Sequence, residues 1–374
     1  MKIDDKTSHN SPSLRFPEFT GEWEECVLGD YGKVVTGNTP PTKDIENYEN
    51  GTYLWASPAD LGTHKLISET KTKLSSKGFT KTRPLSKGSV LVTCIGSTIG
   101  KTGMATREMS TNQQINSIVV NENNDNEFVY YVVQSAFPHY LSSIAVQAVP
   151  IISKSSFELL PSKRPSLQEQ NKIGKFLSLL DERISTQHRL IDRLQSLMIG
   201  IAQKIAHSNK PNVRISDCLE CSSSALQESE VNKTGKYPVY GANGIVGYID
   251  KYHTQNEAIY IIKDGSGVGG VSYVTGKCSS TGTLNILQAK NGHSLKYLYY
   301  LLKVFNFVPY KTGMAIPHIY FKDYGKAKIF CPAYPEQLEY AKLLSSIDGN
   351  LRIALDSLKN FNLQKQYLLR HMLI

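Results

Sequence analysis

The side chains best suited to chemistry fall in two groups of loops. Lys71, Lys73, Lys77, Lys81, Arg83, Lys101, Thr111, Asn112, Gln113 and Gln114 crowd one stretch, and Tyr240, Asn243, Lys251, Lys263, Lys277, Ser280 and Thr281 another. Asn and Gln carry paired donors and acceptors that match adenine edges, while Lys reaches guanine edges and neutralises phosphate. Singly, each is an ordinary solvated residue. Clustered twice in one chain, they are candidate DNA-binding residues. The net charge of +9, from 42 Lys+Arg against 33 Asp+Glu, also favours a polyanionic partner.

Other chemistry is excluded motif by motif. Gly265-x-Gly267-x-x-Gly270 has dinucleotide-fingerprint spacing, yet Val271-Ser272-Tyr273-Val274 reads as a strand where that motif needs a helix. Gly96-Ser97-Thr98-Ile99-Gly100-Lys101-Thr102 resembles a phosphate loop, but its glycines enclose three residues instead of four and no helix follows. Cys218 and Cys221 form the one C-x-x-C among six cysteines, without the second pair or nearby histidines of a zinc site, so free thiols and no metal are expected. There is no H-E-x-x-H and no nucleophile elbow. The only Pro-Pro, Pro40-Pro41, precedes Thr42 rather than the aromatic residue a methyltransferase would show, so no catalytic residue is expected.

Two long helices must position the loops. Ser166-x-x-Glu169 after Pro165 reads as a capping box, with Ser166 capping the first turn and Glu169 reaching back to it. Behind it Ile173, Leu177, Leu180, Ile184, Gln187, Ile191, Leu194, Met198, Ile201 and Ile205 alternate at four and three residues, a heptad seam that only Gln187 interrupts. Such a helix, running to about His207, is roughly 60 Å long at 1.5 Å per residue and requires a partner of similar length. Adding 167 to each number supplies one: Pro332, Glu336, Gln337, Leu344, Ile347, Asp348, Leu351, Leu358, Phe361 and Leu368 repeat the breaker, the acid-amide pair and the seam, and Pro317 repeats Pro150.

The repeat extends to what precedes each helix. Short β-type runs between turn signals fill Val27–Pro161, with Val90–Ile95 and Ile115–Val120 the best strands and Phe128–Tyr140 a helix packed on them. Val90, Val92, Gly96, Ser97, Gly100, Asn116 and Ile118 recur at an offset of 169 as Ile259, Ile261, Gly265, Ser266, Gly269, Asn285 and Leu287. Upstream the halves diverge: Trp55-Ala56-Ser57-Pro58 stands against Tyr237-Pro238-Val239-Tyr240-Gly241-Ala242-Asn243-Gly244. A kept scaffold with unlike loops fits two copies of one binding device reading different targets.

The expected fold is therefore α+β. A tail and anchor cover residues 1–20, disordered to about Ser13. Two β-rich units at 21–164 and 211–331 each precede a long helix, at 165–210 and 332–374. The polar N-terminus and the short apolar runs, Phe128–Val133 and Tyr297–Leu302, argue for a soluble, cytoplasmic protein.

Nearly the whole chain, from Leu14-Arg15-Phe16-Pro17 onward, resembles the specificity subunit of a type I restriction-modification enzyme. The most specific parts are Pro165-x-x-x-Glu169-Gln170…Leu180-Asp181, Cys331-Pro332-x-x-x-Glu336-Gln337…Ile347-Asp348 and Tyr237-Pro238-Val239-Tyr240-Gly241. The resemblance implies two target recognition domains, pseudo-twofold related, each gripping half of a bipartite, asymmetric DNA target. It implies an antiparallel coiled coil between them, formed by Ile173, Leu177, Leu180, Ile184, Ile191 and Leu194 with Leu344, Ile347, Leu351, Leu358, Phe361 and Leu368. It also implies two methyltransferase subunits and restriction (nuclease-translocase) subunits as partners. Adenine methylation with S-adenosylmethionine, and restriction with ATP and magnesium, would then belong to those partners, with no cofactor in this chain. The rival reading is a non-catalytic two-module protein binding peptide or carbohydrate, which would need neither the charge nor the divergent polar loops.

Overall fold

The computed structural model describes residues 10–143, 151–207 and 210–373. Pro150 and residues 1–9 of the expected tail lie outside them. The chain forms two compact units, Met1–Thr186 with Leu358–Ile374, and Gln187–Ser357.

In the first unit, Val90–Thr93 is buried at every position, as a β-branched, apolar run in a sheet interior should be. It sits third in a five-stranded sheet ordered Gly32–Thr36, Ile115–Val120, Val90–Thr93, Thr102–Ala105, Leu66–Ile67. A small sheet places Tyr53–Ala56 between Thr72–Leu74 and Ser110–Thr111, and Glu24–Val27 pairs with Pro161–Arg164. The helix Asn126–Ser143 buries the whole apolar run Phe128–Val133. Its core is continuous with Trp23, Tyr31, Phe157, Ile173, Leu177 and Leu180, and with Leu368 and Met372 near the chain's end. The segment expected to be disordered up to Ser13 is anchored from Asn10. The Trp23 N–H donates to the Asn10 carbonyl (2.6 Å), and the Leu14 N–H donates to the His371 carbonyl (2.8 Å).

The second unit repeats this plan. Its main sheet is ordered Leu219–Ser223, Leu284–Ala289, Glu257–Ile262, Val271–Thr275, without a counterpart to Leu66–Ile67. A small sheet places Tyr237–Gly241 between Gly244–Ile249 and Ser279–Ser280, and Val213–Arg214 pairs with Lys328–Ile329. The stretches that look unrelated in sequence occupy one structural position: Trp55 and Ala56 pair in parallel with Ser110 and Thr111, and Val239 and Tyr240 with Ser279 and Ser280.

The glycine pairs make one kind of turn in both units. Gly96, Gly100, Gly265 and Gly269 all have φ between +89° and +97°, the region that a side chain resists. The Gly100 N–H closes on the Thr93 carbonyl and the Gly269 N–H on the Ile262 carbonyl, each at 2.9 Å. Strands Thr102–Ala105 and Val271–Thr275 follow, not helices, so neither turn is a nucleotide loop.

The long helices span Leu167–His207, 41 residues, and Tyr334–Met372, 39 residues. Of the expected seam, Ile173, Leu177, Leu180, Ile191, Leu344, Ile347, Leu351 and Leu368 are buried, and Ile184, Leu194, Leu358 and Phe361 are half-buried. In the first unit the helices run in opposite directions: Lys365 Nζ meets Asp181 (2.7 Å) and Arg183 covers the Phe361 ring (6.0 Å). In the second, Gln187 uses its seam position to donate to the Ala354 carbonyl (2.9 Å), so the one polar interruption is satisfied.

At the foot of each long helix a buried glutamine makes the same two bonds. Gln170 Nε2 donates to the Pro165 carbonyl (3.1 Å), and its Oε1 accepts from the Asp125 N–H (3.1 Å) at the start of helix Asn126–Ser143. Gln337 donates to the Pro332 carbonyl (2.8 Å) and accepts from the Ser294 N–H (2.8 Å) at the cap of helix Leu295–Val304. The capping box forms only in part. Ser166 Oγ accepts from the Glu169 N–H (3.4 Å), but the Glu169 carboxylate does not return to the cap. It is 1% exposed and takes a two-point bond from Arg15 (2.7 Å to each oxygen), which compensates its burial better than a cap N–H would.

Truncating either clamp leaves a buried donor and a buried acceptor unpaired, at about 1–3 kcal/mol per group. Gln170→Ala and Gln337→Ala are each expected to lower stability by about 2–4 kcal/mol in urea denaturation. Faster amide hydrogen exchange at Asp125 or Ser294, respectively, will show which clamp has opened.

Candidate functional site

In the first unit the candidate residues surround the loop that follows strand Ser110–Thr111. The Asn112 N–H donates to the Ala56 carbonyl (2.9 Å) and the Ile115 N–H to the Asn112 carbonyl (3.2 Å), closing the loop on itself. Trp55 Nε1 donates to the Asn38 carbonyl (3.1 Å), Asn38 Nδ2 to the Lys81 carbonyl (2.8 Å), and Thr39 Oγ1 to Gln113. The turn Gly37–Pro41 is thereby bound to both the loop and the lysine-rich segment. Gly37 is required there, because a Cβ would lie 2.3 Å from the carbonyls of Thr111 and Asn112.

The second unit builds its loop from the same backbone bonds. The Thr281 N–H donates to the Tyr240 carbonyl (2.8 Å) and the Leu284 N–H to the Thr281 carbonyl (3.3 Å). Where one unit carries Asn112-Gln113-Gln114, the other carries Thr281-Gly282-Thr283. The hairpin of Tyr237–Gly241 and Gly244–Ile249 turns through Ala242 and Asn243, leaving Asn243, Ile245 and Val246 exposed at its tip.

The candidates separate by environment. Lys71, Arg83, Lys101, Gln113, Asn243 and Lys251 are exposed. Lys77 and Lys81 are exposed but paired, both with Asp44 (3.3 and 3.0 Å) and Lys77 also with Glu46. The Asp44 carboxyl is held below its ordinary range, first by the Lys81 bond and then by Lys77. Lys73 pairs with Glu69 (2.7 Å), Lys263 with Asp264 (2.8 Å), and Lys277 lies over the Tyr252 ring (4.8 Å). Tyr240 is half-buried against Tyr260, and burial raises its phenol pKa.

Four residues are not where a surface role needs them. Thr111, Asn112, Ser280 and Thr281 are between 0% and 7% exposed. They stand at parallel strand ends or just beyond, where backbone pairing forces the side chains inward, so they shape the loops instead of presenting themselves. Gln114 is half-buried and bonded to Asn112 (3.0 Å). Sequence reasoning also missed a basic groove along the edge strand Gly32–Thr36, lined by Lys33, Thr36, Arg83 and Lys154. Lys33 and Lys154 are far apart in sequence, and only the packing of helix Lys154–Glu158 against strand Gly32–Thr36 brings them together.

The C-x-x-C does not act as a pair. Cys218 faces His293 and Cys331, whereas Cys221 contacts the Ser222 carbonyl. Among the described residues no helix is long and apolar enough to cross a membrane.

A family model described as the type I restriction modification DNA specificity domain matches residues 20–196 and again 208–360. The MjaIX specificity subunit of Methanocaldococcus jannaschii is 27% identical over 186 residues, 48% of this chain and 43% of that protein. The EcoR124I/EcoR124II specificity subunit of Escherichia coli is 25% identical over 175 residues, 45% and 43% respectively. Each of these alignments spans less than half of the relative. The EcoprrI specificity subunit of Escherichia coli aligns over 353 residues at 19% identity, 87% of this chain and 88% of that one. The crystal structure of a type I restriction-modification S subunit from M. genitalium has the same fold, with a TM-score of 0.71 over 97% of this chain and 99% of its own, at 18% identity.

Thr111 Oγ1 and Ser280 Oγ are buried without a hydrogen-bond partner. Thr111→Val and Ser280→Ala remove no bond and are expected to shift stability by less than about 0.5 kcal/mol in urea denaturation. Thr281→Val breaks the hydroxyl bond to Thr283 (2.8 Å) and is expected to cost about 1 kcal/mol.

Proposed function

We propose a function that proceeds from what the chain is: it belongs to the type I restriction modification DNA specificity domain family, which it matches in both halves. The reading is that it is the non-catalytic specificity subunit of such a complex. It binds a bipartite DNA target, one half per unit, and directs adenine methylation and cleavage carried out by methyltransferase and nuclease-translocase subunits. Its two target recognition domains are the stretches 21–164 and 211–331. S-adenosylmethionine, ATP and magnesium belong to those partners. Work on DNA places the protein in the cytoplasm.

One observation carries this reading. The loops at 111–114 and 280–283 are closed by the same backbone bonds, while what they expose differs, Gln113 in one unit standing where the other has Gly282. Identical supports fix where a reader stands relative to the duplex, and different side chains fix what it reads. Exposed Lys71, Arg83 and Lys101 in one unit, and Asn243 and Lys251 in the other, are the residues placed to contact phosphates and base edges.

Two outcomes follow for the full chain bound to DNA. If six to ten phosphates are contacted, affinity falls by about 10³–10⁵ between 50 and 200 mM salt. In that titration Lys101→Ala is expected to reduce the log–log salt slope by about 0.9, the loss of one phosphate contact. Lys77→Ala, whose charge Asp44 and Glu46 already balance, is expected to change it less, and a salt-independent affinity would contradict the reading. Exchanging Val213–Ile329 for the matching unit of a relative should alter one half of the methylated sequence and leave the other intact, as read by sequencing methylated adenines in the host. Changes in both halves would show that the units do not read separately.

A further inference from the structure

The second unit gathers three metal-binding side chains that DNA recognition does not use. Cys218 ends the short helix Ile215–Cys218, and His293 lies just before the Ser294 cap of helix Leu295–Val304. Cys331 joins strand Lys328–Ile329 to the second long helix. Their ligand atoms, Cys218 Sγ, Cys331 Sγ and a His293 ring nitrogen, all lie within 4.8 Å of one another, and Cys331 Sγ is 3.4 Å from His293 Nδ1.

We propose that Cys218, His293 and Cys331 bind one divalent, thiophilic cation, zinc by preference, at the junction of the second unit's sheets with its long helix. Around tetrahedral zinc, Zn–S of about 2.3 Å and Zn–N of about 2.0–2.1 Å set an S···N edge near ~3.5 Å and an S···S edge near ~3.8 Å. The Cys331–His293 separation of 3.4 Å already meets the first. A bare thiol–imidazole hydrogen bond has a similar length; the third ligand standing beside the pair is what marks a metal site.

Charge and burial fit the same cation. Cys218 and Cys331 are 0% and 6% exposed. On binding, each thiol releases its proton to solvent and donates its sulfur lone pair, while His293 binds neutral through Nδ1. Two thiolates then cancel the 2+ charge, leaving a neutral complex suited to a buried position. Two cysteines and a histidine are soft and borderline ligands that select zinc over magnesium or calcium.

The ligand backbones are held in place. Asn212 clamps Cys331 from both sides, donating to its carbonyl and accepting from its N–H, each at 2.8 Å. The Lys290 N–H donates to the Cys218 carbonyl (2.9 Å) and the His293 N–H to the Lys290 carbonyl (3.1 Å). His293 also lines an open groove with Tyr273, Lys296, Tyr334 and Lys342. Through that groove the cation enters and a water supplies the fourth ligand. The first unit has no equivalent: Asn124 and Arg164 hold the positions matching His293 and Cys331.

The test is titration of the reduced full-length chain with Co(II), then displacement by Zn(II), with metal content measured after gel filtration. The proposal expects one metal per chain, tetrahedral cobalt absorption and thiolate-to-cobalt charge transfer. Cys218→Ser, His293→Ala and Cys331→Ser should each weaken binding by at least about 100-fold, while Cys221→Ser should not. Should a variant misfold, the wild-type chain still decides: absence of stoichiometric metal, or cobalt spectra without thiolate character, overturns the proposal. So does a Cys218–Cys331 disulfide in the chain as isolated from cells with thiols blocked, or cobalt binding that all three site variants retain.

Discussion

A glutamine amide at the foot of each long helix is the constraint on which the rest of the structure depends. Gln170 and Gln337 each join a proline carbonyl before their own helix to the N–H of the residue that precedes the helix covering the main sheet. Both are 1% exposed, so each bond forms away from water, and the Gln170 amide adds a third bond by donating to Asn124 Oδ1 (3.2 Å). An amide can do this because it donates and accepts at once; a carboxylate in its place would be charged and could not donate. Each loop-bearing unit is thus pinned at the foot of its helix by one side chain held at two points, and higher up by the Tyr131–Asp181 (2.6 Å) and Tyr300–Ser345 (3.3 Å) hydrogen bonds.

From that joint the functional arrangement follows. The main sheet carries the glycine turns, the small sheet sets strands Tyr53–Ala56 and Tyr237–Gly241 beside the ends of Ser110–Thr111 and Ser279–Ser280, and the loops emerge there. Burial of Thr111, Asn112, Ser280 and Thr281 rigidifies the loop bases. On the proposed function, selectivity falls to the exposed residues around them, of which Gln113 and Arg83 are themselves hydrogen-bonded, to Thr39 and to the Thr36 carbonyl (2.7 Å). Lys77 and Lys81 are held by Asp44, whereas exposed Lys71, Lys101 and Lys251 make no ion pair among the described residues; on the proposed function these are the cations left for phosphate.

The repeat made much of this legible in the residues alone. Two constant offsets, 167 for both helices and the seam and 169 for the Gly-x-x-x-Gly turns, located these features because they depend on local spacing. It failed where chain length differs between halves: Trp55 and Val239 occupy one structural position, yet insertions before Gly96 hide the correspondence. Composition could not tell exposed from buried polar residues either, since Thr111 and Ser280 are turned inward by parallel pairing with strands distant in sequence. The same blindness applies to Cys218, whose neighbours are not its C-x-x-C companion but His293 and Cys331, brought together by sheet closure. Glu169 answers Arg15 rather than its own cap for a related reason: a buried carboxylate needs a full charge, and the cation comes from the other end of the unit.

Under the proposed function both units read DNA through equivalent loops on one repeated scaffold. Amide hydrogen exchange of the full chain, free and bound to a duplex selected from a random pool, tests it most directly. The account predicts slowed exchange at 37–41 and 111–114 in the first unit and at 241–244 and 280–283 in the second. Protection confined to one unit, or to the long helices with the loops unchanged, would contradict it.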